Sequence, residues 1–116
     1  MPEPPRLQRR FPRVPSENAV LVKKIGDDSS EALAKTRVLG GGGCMFVHGV
    51  PLGVGSTVEM LISMPRQVLR VRARVVYELP ARPGGVEVGV EFVDVAEGDR
   101  DVLAAWLAGR ADTAQS

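Results

Sequence analysis

One cysteine, one histidine, one tryptophan, one tyrosine and three phenylalanines leave this 116-residue chain short of the usual materials of catalysis and base recognition. A lone Cys44 excludes an internal disulfide framework and suits a reducing compartment. His48 and Cys44 stand four apart, too few for a zinc site unless carboxylates complete it, and on a strand they share one face. Both are read as structural, and a Cys-His nucleophile pair has no visible orienting partner. Five aromatic residues are few for a base-stacking surface. Fifteen basic against 14 acidic residues, net +1, give no global field that would attract a nucleic-acid polymer. No apolar run approaches the roughly 20 residues of a membrane helix, and residues 1–15 lack the apolar core of a secretory signal, so no membrane insertion and a cytoplasmic location are expected. The acidic residues are scattered over turns, a strand face and a helix start, with no pair set for acid-base work. No enzyme is expected.

What the chain does have is Arg9-Arg10-Phe11-Pro12-Arg13, three guanidinium groups within five residues. Guanidinium is permanently charged and can bind phosphate bidentately, grip a guanine edge or stack on a base. Pro4, Pro5, Pro12 and Pro15 discourage a helix, which places these side chains on an extended or turning segment. Two readings stand on composition: a solvated basic tail, or a segment that folds over an anionic ligand.

Beyond this leader, hydrophobic content of 44% predicts one soluble domain with a small core. Residues 18–25 read as a strand and Gly26-Asp27-Asp28-Ser29-Ser30 as a polar turn. Residues 31–39 have helical propensity in their first half and strand character in their second, and a strand is favoured for the second. Gly40-Gly41-Gly42-Gly43 loses much conformational freedom on folding, so a sharp turn, a bulge or a close backbone approach is expected there, with a floppy turn as the alternative. It is not a nucleotide-hydrolysing phosphate loop, because no Lys-Ser/Thr follows it. Cys44 to Val47 is a short apolar strand.

Clean alternation then places Val58, Met60, Ile62 and Met64 on one face of a strand. Leu69, Val71, Ala73, Val75, Tyr77 and Leu79 are expected inward on the next strand, with Arg70, Arg72 and Arg74 outward. The returning strand turns Val86, Val88, Val90 and Phe92 inward. Arg74 falls opposite Glu91, which favours a solvated cross-strand ion pair over a phosphate-binding face. After Asp94 the period becomes helical, with acid in the first turn, a stripe of Val102, Leu103, Trp106 and Leu107, and Gly109 placed to end the helix. The fold class is therefore mostly β: a six-stranded antiparallel barrel with a C-terminal α-helix. Its divisions are a flexible leader at 1–15, barrel and helix at 16–109, and a frayed tail at 110–116.

The chain resembles the PilZ domain, a small barrel family known for sensing cyclic di-GMP. The resemblance covers about residues 8–109. It rests on Arg9-x-x-x-Arg13, on Met45-Phe46-Val47 with the following Pro-Leu-Gly-Val-Gly turn, on Ala73-Arg74-Val75-Val76, and on Val88-Gly89-Val90-Glu91-Phe92 before an acidic helix. It implies that Arg9 and Arg13, with Arg10 beside them, would hold phosphates and guanine edges, and that the leader would close on the ligand. The family's second motif, Asp/Asn-x-Ser-x-x-Gly, is degenerate. Aligned on Met45-Phe46-Val47, it falls on Leu39, Gly41 and Cys44, and a shifted register does not rescue it, since residues 40–43 are all Gly. Each lost polar contact costs on the order of 1–3 kcal/mol, and two would weaken binding by about a hundredfold or more. Backbone N–H groups of Gly41, Gly42 and Gly43 could still meet phosphate oxygens.

Two functions follow. The first is a non-enzymatic PilZ-type regulator or adaptor that binds a protein partner in a bacterial signalling or motility pathway, with weak or absent cyclic di-GMP binding. The second is a genuine cyclic di-GMP receptor using Arg9 and Arg13 with a glycine-backbone site. No cofactor and no metal are expected under either.

Overall fold

Among the described residues, the alternating stretches fold into seven strands and a helix. In the computed structural model, which describes residues 13–26 and 30–115, these are β1 (Arg13–Pro15), β2 (Ala19–Lys24), β3 (Ser30–Gly40), β4 (Gly43–His48), β5 (Thr57–Ser63), β6 (Val68–Pro80), β7 (Val86–Val95) and α1 (Glu97–Gln115). Neighbours run β3-β2-β5-β6-β7-β4, all antiparallel, and β4 returns to β3 to close the ring. The barrel of six is thus as expected. β1 is an addition to it: Arg13–Pro15, assigned to the leader from sequence, pairs with Val38–Gly40 on the side of β3 that also receives β2. β1 and β2 together act as one interrupted strand.

The interruption is held by polar groups. Ser16 and Thr36 are buried and their hydroxyls hydrogen-bond each other. The Ser16 amide donates to the Arg37 carbonyl (3.0 Å), the Thr36 amide to the Asn18 carbonyl (2.9 Å), and Asn18 Nδ2 to the Ser63 carbonyl (2.8 Å). These bonds give partners to backbone groups that the kink removes from regular pairing.

Alternation sets the core. Val58, Met60, Ile62 and Met64 on β5 and its end are buried, as are Leu69, Val71, Ala73 and Val75 on β6. Leu103 and Leu107 bring α1 onto one end of the barrel, with Val102 and Trp106 packed at the margin. The first turn of α1 is acidic, favourable at the positive end of the helix dipole. Asp99 there also fixes the helix to β6, accepting from the Arg70 amide (3.1 Å) and from Gln67 Nε2 (3.3 Å).

Three expectations change. β3 spans Ser30–Gly40, so the helical propensity of its first half yields to pairing with β2. On β6 the register shifts between Val75 and Tyr77, a bulge that gives the strand an extra residue. Beyond it the faces swap: Leu79 is 53% exposed, and Glu78 turns to the barrel end, where its carboxylate accepts the amides of Leu52 (2.6 Å) and Gly53 (3.2 Å). Tyr77 likewise lies on the outer surface. Finally, Gly109 does not stop α1, which continues to Gln115 through the expected tail. One glycine in a helix costs only about 1 kcal/mol, and the Arg110 guanidinium stacks over Trp106, 4.9 Å from the ring centroid, across that turn.

Candidate functional site

Pairing of β1 with β3 carries Arg13 to the glycine run: Arg13 stands opposite Gly40, and β3 turns through Gly41 and Gly42 into β4 at Gly43. Arg13 and the candidate residues Gly41, Gly42 and Gly43 are therefore brought together at one mouth of the barrel. Arg9 and Arg10 lie outside the described residues. The Arg13 charge acts electrostatically on both Cys44 and Tyr77.

The glycine run has a packing cause. A Cβ on Gly43 would collide with the Val90 carbonyl oxygen on β7, and the Gly42 carbonyl accepts the Phe92 amide at 2.8 Å. Of the reasons a glycine could be required, close backbone approach is the one realised at Gly43. Leu39 and Cys44, paired across the turn, are both fully buried. Burial pushes the Cys44 thiol up to about 12, against the opposing pull of Arg13, so it is an inert core group. His48 is buried as well, and its Nδ1 lies 2.7 Å from the Val50 carbonyl.

Outside the barrel, register assembles a row that sequence reasoning missed. Tyr77 stands opposite Gly89, Gly89 opposite Met45, Met45 opposite Val38, and Val38 opposite Pro15. The row crosses β6, β7, β4, β3 and β1 and is apolar throughout except for the tyrosine hydroxyl. That hydroxyl lies 3.4 Å from Glu87 Oε2, and burial together with the Glu87 charge raises the Tyr77 ionisation above its ordinary value. Alongside runs Arg74, Glu91 and Gly43, with Arg74 hydrogen-bonded to Glu91 as the pairing predicted. Arg72 pairs with Glu59 at 3.6 Å. The bulge that turns Tyr77 outward is the reason the row was hidden; Gly89 opposite an aromatic was its only local trace.

A second basic feature borders Pro15 and Val47. Lys35, Arg37 and Arg110 surround an open groove floored by Ser16 and Thr36, with Glu17 as the one carboxylate among its described lining residues. Arg37 occupies the bulge between Thr36 and Val38, which aims it outward. Among the described residues, no group of three His, Cys, Asp or Glu side chains is placed to hold a metal ion. No described helix is long and apolar enough to cross a membrane.

A closed antiparallel barrel with a helix at one end and an arginine strand at its mouth places the chain among the small antiparallel barrel domains. The chain belongs to the PilZ domain family, whose model matches residues 7–109. This is a family of non-enzymatic cyclic di-GMP-binding and regulatory domains. Among solved structures, the Bacillus subtilis inhibitor of motility MotI/DgrA is similar at 17% identity and TM-score 0.79, over 90% of this chain and 52% of that one. Escherichia coli YcgR in complex with cyclic di-GMP is similar at 16% identity and TM-score 0.73, over 93% of this chain and 48% of that one. Apo MrkH from K. pneumoniae follows at 12% identity and TM-score 0.71, over 99% and 52%. At these identities the likeness carries the fold, and this chain spans about half the length of each of the three. A comparison with curated proteins gives no match.

Proposed function

We propose that this protein is a non-enzymatic PilZ regulator that works chiefly by binding another protein of a signalling pathway, with weak or absent cyclic di-GMP binding. The observation that carries the reading is the chemistry of the surface beside Arg13. Leu39 and Cys44 are core residues, Gly41 has no side chain, and the neighbouring outer row is Val38, Met45 and Tyr77. A guanine needs polar groups there, whereas an apolar row rimmed by charge suits a protein contact. The steric demand at Gly43 also supports setting the family motif's closing glycine on that residue instead of Cys44. Counting back then puts Val38 and Gly40 at the Asp/Asn and Ser positions, and the motif is still unable to supply a side-chain hydrogen bond. Motility is one candidate output, since the similar MotI is an inhibitor of motility.

The receptor reading keeps one observation in its favour: Arg13 is held beside Gly40 at the turn through Gly41, Gly42 and Gly43. Calorimetric titration with cyclic di-GMP decides between them, using Arg9→Ala/Arg13→Ala as control. No heat from folded protein is expected. Micromolar or tighter binding that vanishes in the double variant would establish the receptor instead.

A further inference from the structure

Leu33 is 79% exposed in the middle of β3, and it is not alone. Across the outer surface it stands opposite Leu21 on β2, Leu21 opposite Leu61 on β5, and Leu61 opposite Arg70 on β6. Three leucines thus form a row on the outer face, away from β4 and β7, where the apolar row beside Arg13 lies. The adjacent outward row is Glu31, Lys23, Glu59 and Arg72, again in register across the same four strands. Its charges alternate: minus, plus, minus, plus. A shallow hollow of about 320 Å³ lies here, lined by Leu21, Lys23, Glu31, Glu59, Leu61 and Arg70.

We propose that this face binds a second copy of the chain about a two-fold axis running along the strands between β2 and β5. An alternating row read backwards is its own complement. Under that axis Lys23 of each copy meets Glu59 of the other, and Glu31 meets Arg72, so every charge faces its opposite. The same operation sets Leu21 against Leu61, and Leu33 against the aliphatic stem of Arg70. Both rows remain in line because the strands of the two sheets stay nearly aligned, the common arrangement for sheets packed face to face. A self-complementary patch of this kind is what an isologous interface requires. An apolar stripe on a sheet face also needs a cover if it is not to promote non-specific association. This inference is independent of the proposed function, because β4, β7 and Arg13 stay uncovered in the dimer.

Sedimentation velocity on the full chain tests it. Wild-type protein should sediment as a dimer at micromolar concentration. Lys23→Glu places like charges against Glu59 of the second copy, and Glu59→Lys does so against Lys23; each should be monomeric while melting as a folded protein. Combined in one chain, K23E/E59K reverses both members of the pair and should restore the dimer. Leu33→Ser, at a position too exposed to disturb the core, should weaken association by about tenfold, and it decides the matter if the charge variants fail to fold. A wild-type monomer, a Lys23→Glu dimer as strong as wild type, a double variant that stays monomeric, or a Leu33→Ser dimer of unchanged strength would each overturn the proposal.

Discussion

The ring of Tyr77 lies over the backbone of Gly89, its partner across β6 and β7, so closely that a Cβ on Gly89 would fall within the ring. An aromatic side chain laid on a cross-strand glycine restores the packing that the glycine lacks. Here it also builds the β6 end of the apolar row that reaches β1 two residues from Arg13.

Gly89→Ala must displace that ring, and it should cost about 1–3 kcal/mol of stability. Tyr77→Ala should also destabilise by uncovering the glycine. The two effects share one contact, so Tyr77→Ala/Gly89→Ala should cost less than their sum in a denaturant-unfolding cycle. Simple additivity would mean that the ring and the glycine do not depend on each other.

The same argument separates two other glycines. Gly43→Ala drives a methyl group into the Val90 carbonyl, a backbone atom that has no rotamer to change, and should lower stability by roughly 2 kcal/mol or more. Gly49→Ala meets nothing within 4 Å and should stay within about 0.5 kcal/mol of wild type. Equal thermal midpoints for the two variants would remove the packing account of the glycine run.

If the closing glycine of the degenerate motif is Gly43, polarity has to return at Val38 and Gly40. Val38→Asp/Gly40→Ser should then raise cyclic di-GMP affinity by at least about tenfold, worth about 1.4 kcal/mol. Leu39→Asp, demanded by the other alignment, buries a carboxylate without a partner at a fully buried site and should unfold the domain instead. Calorimetry on the first variant and circular dichroism on the second check both halves. A folded Leu39→Asp that gains affinity would restore the alignment on Leu39, Gly41 and Cys44.

Cys44 sets an alkaline limit. Its thiol ionises near 9.0 in an unfolded chain and at about 12 in the folded one. Below the lower value both states keep the proton and the thiol leaves stability independent of pH. Above it the unfolded chain alone releases the proton, so stability falls with a slope approaching about 1.4 kcal/mol per pH unit until the folded value is reached. Tyr77, also raised, adds in the same direction at higher pH. Unfolding titrations at pH 8 and pH 10 should show the loss, and Cys44→Ala should show it reduced by about 1 kcal/mol. An unchanged difference between the two pH values in Cys44→Ala would locate the alkaline loss elsewhere.

Where a strand has one wet face, its sequence was readable: the alternation around Val58 to Met64 and Leu69 to Val75 assigned the core correctly because burial has a period of two. The reading failed where long-range pairing decides. Nothing local says that Arg13 will stand opposite Gly40, since a three-residue strand between prolines has no pattern of its own. The bulge after Val75 is equally silent in sequence, yet it reverses Tyr77, Glu78 and Leu79 and so creates both the Tyr77–Gly89 contact and the Glu78 anchor of the β4–β5 connection. The glycine run was correctly flagged as needing a reason, but the reason, the Val90 carbonyl, lies on a strand far away in the chain.

β4 returns to β3 over Thr36–Leu39, so beside the glycine turn β3 carries a strand on each side, β4 on one and β1 on the other. Among the described residues, only β1 adds a further strand, three residues long and packed beside α1. At that turn a partner cannot extend β3 by another strand, the least selective way of adhering to a β protein. Recognition there has to be written in outward side chains, and those can be exchanged one at a time while the inward set keeps the barrel shut.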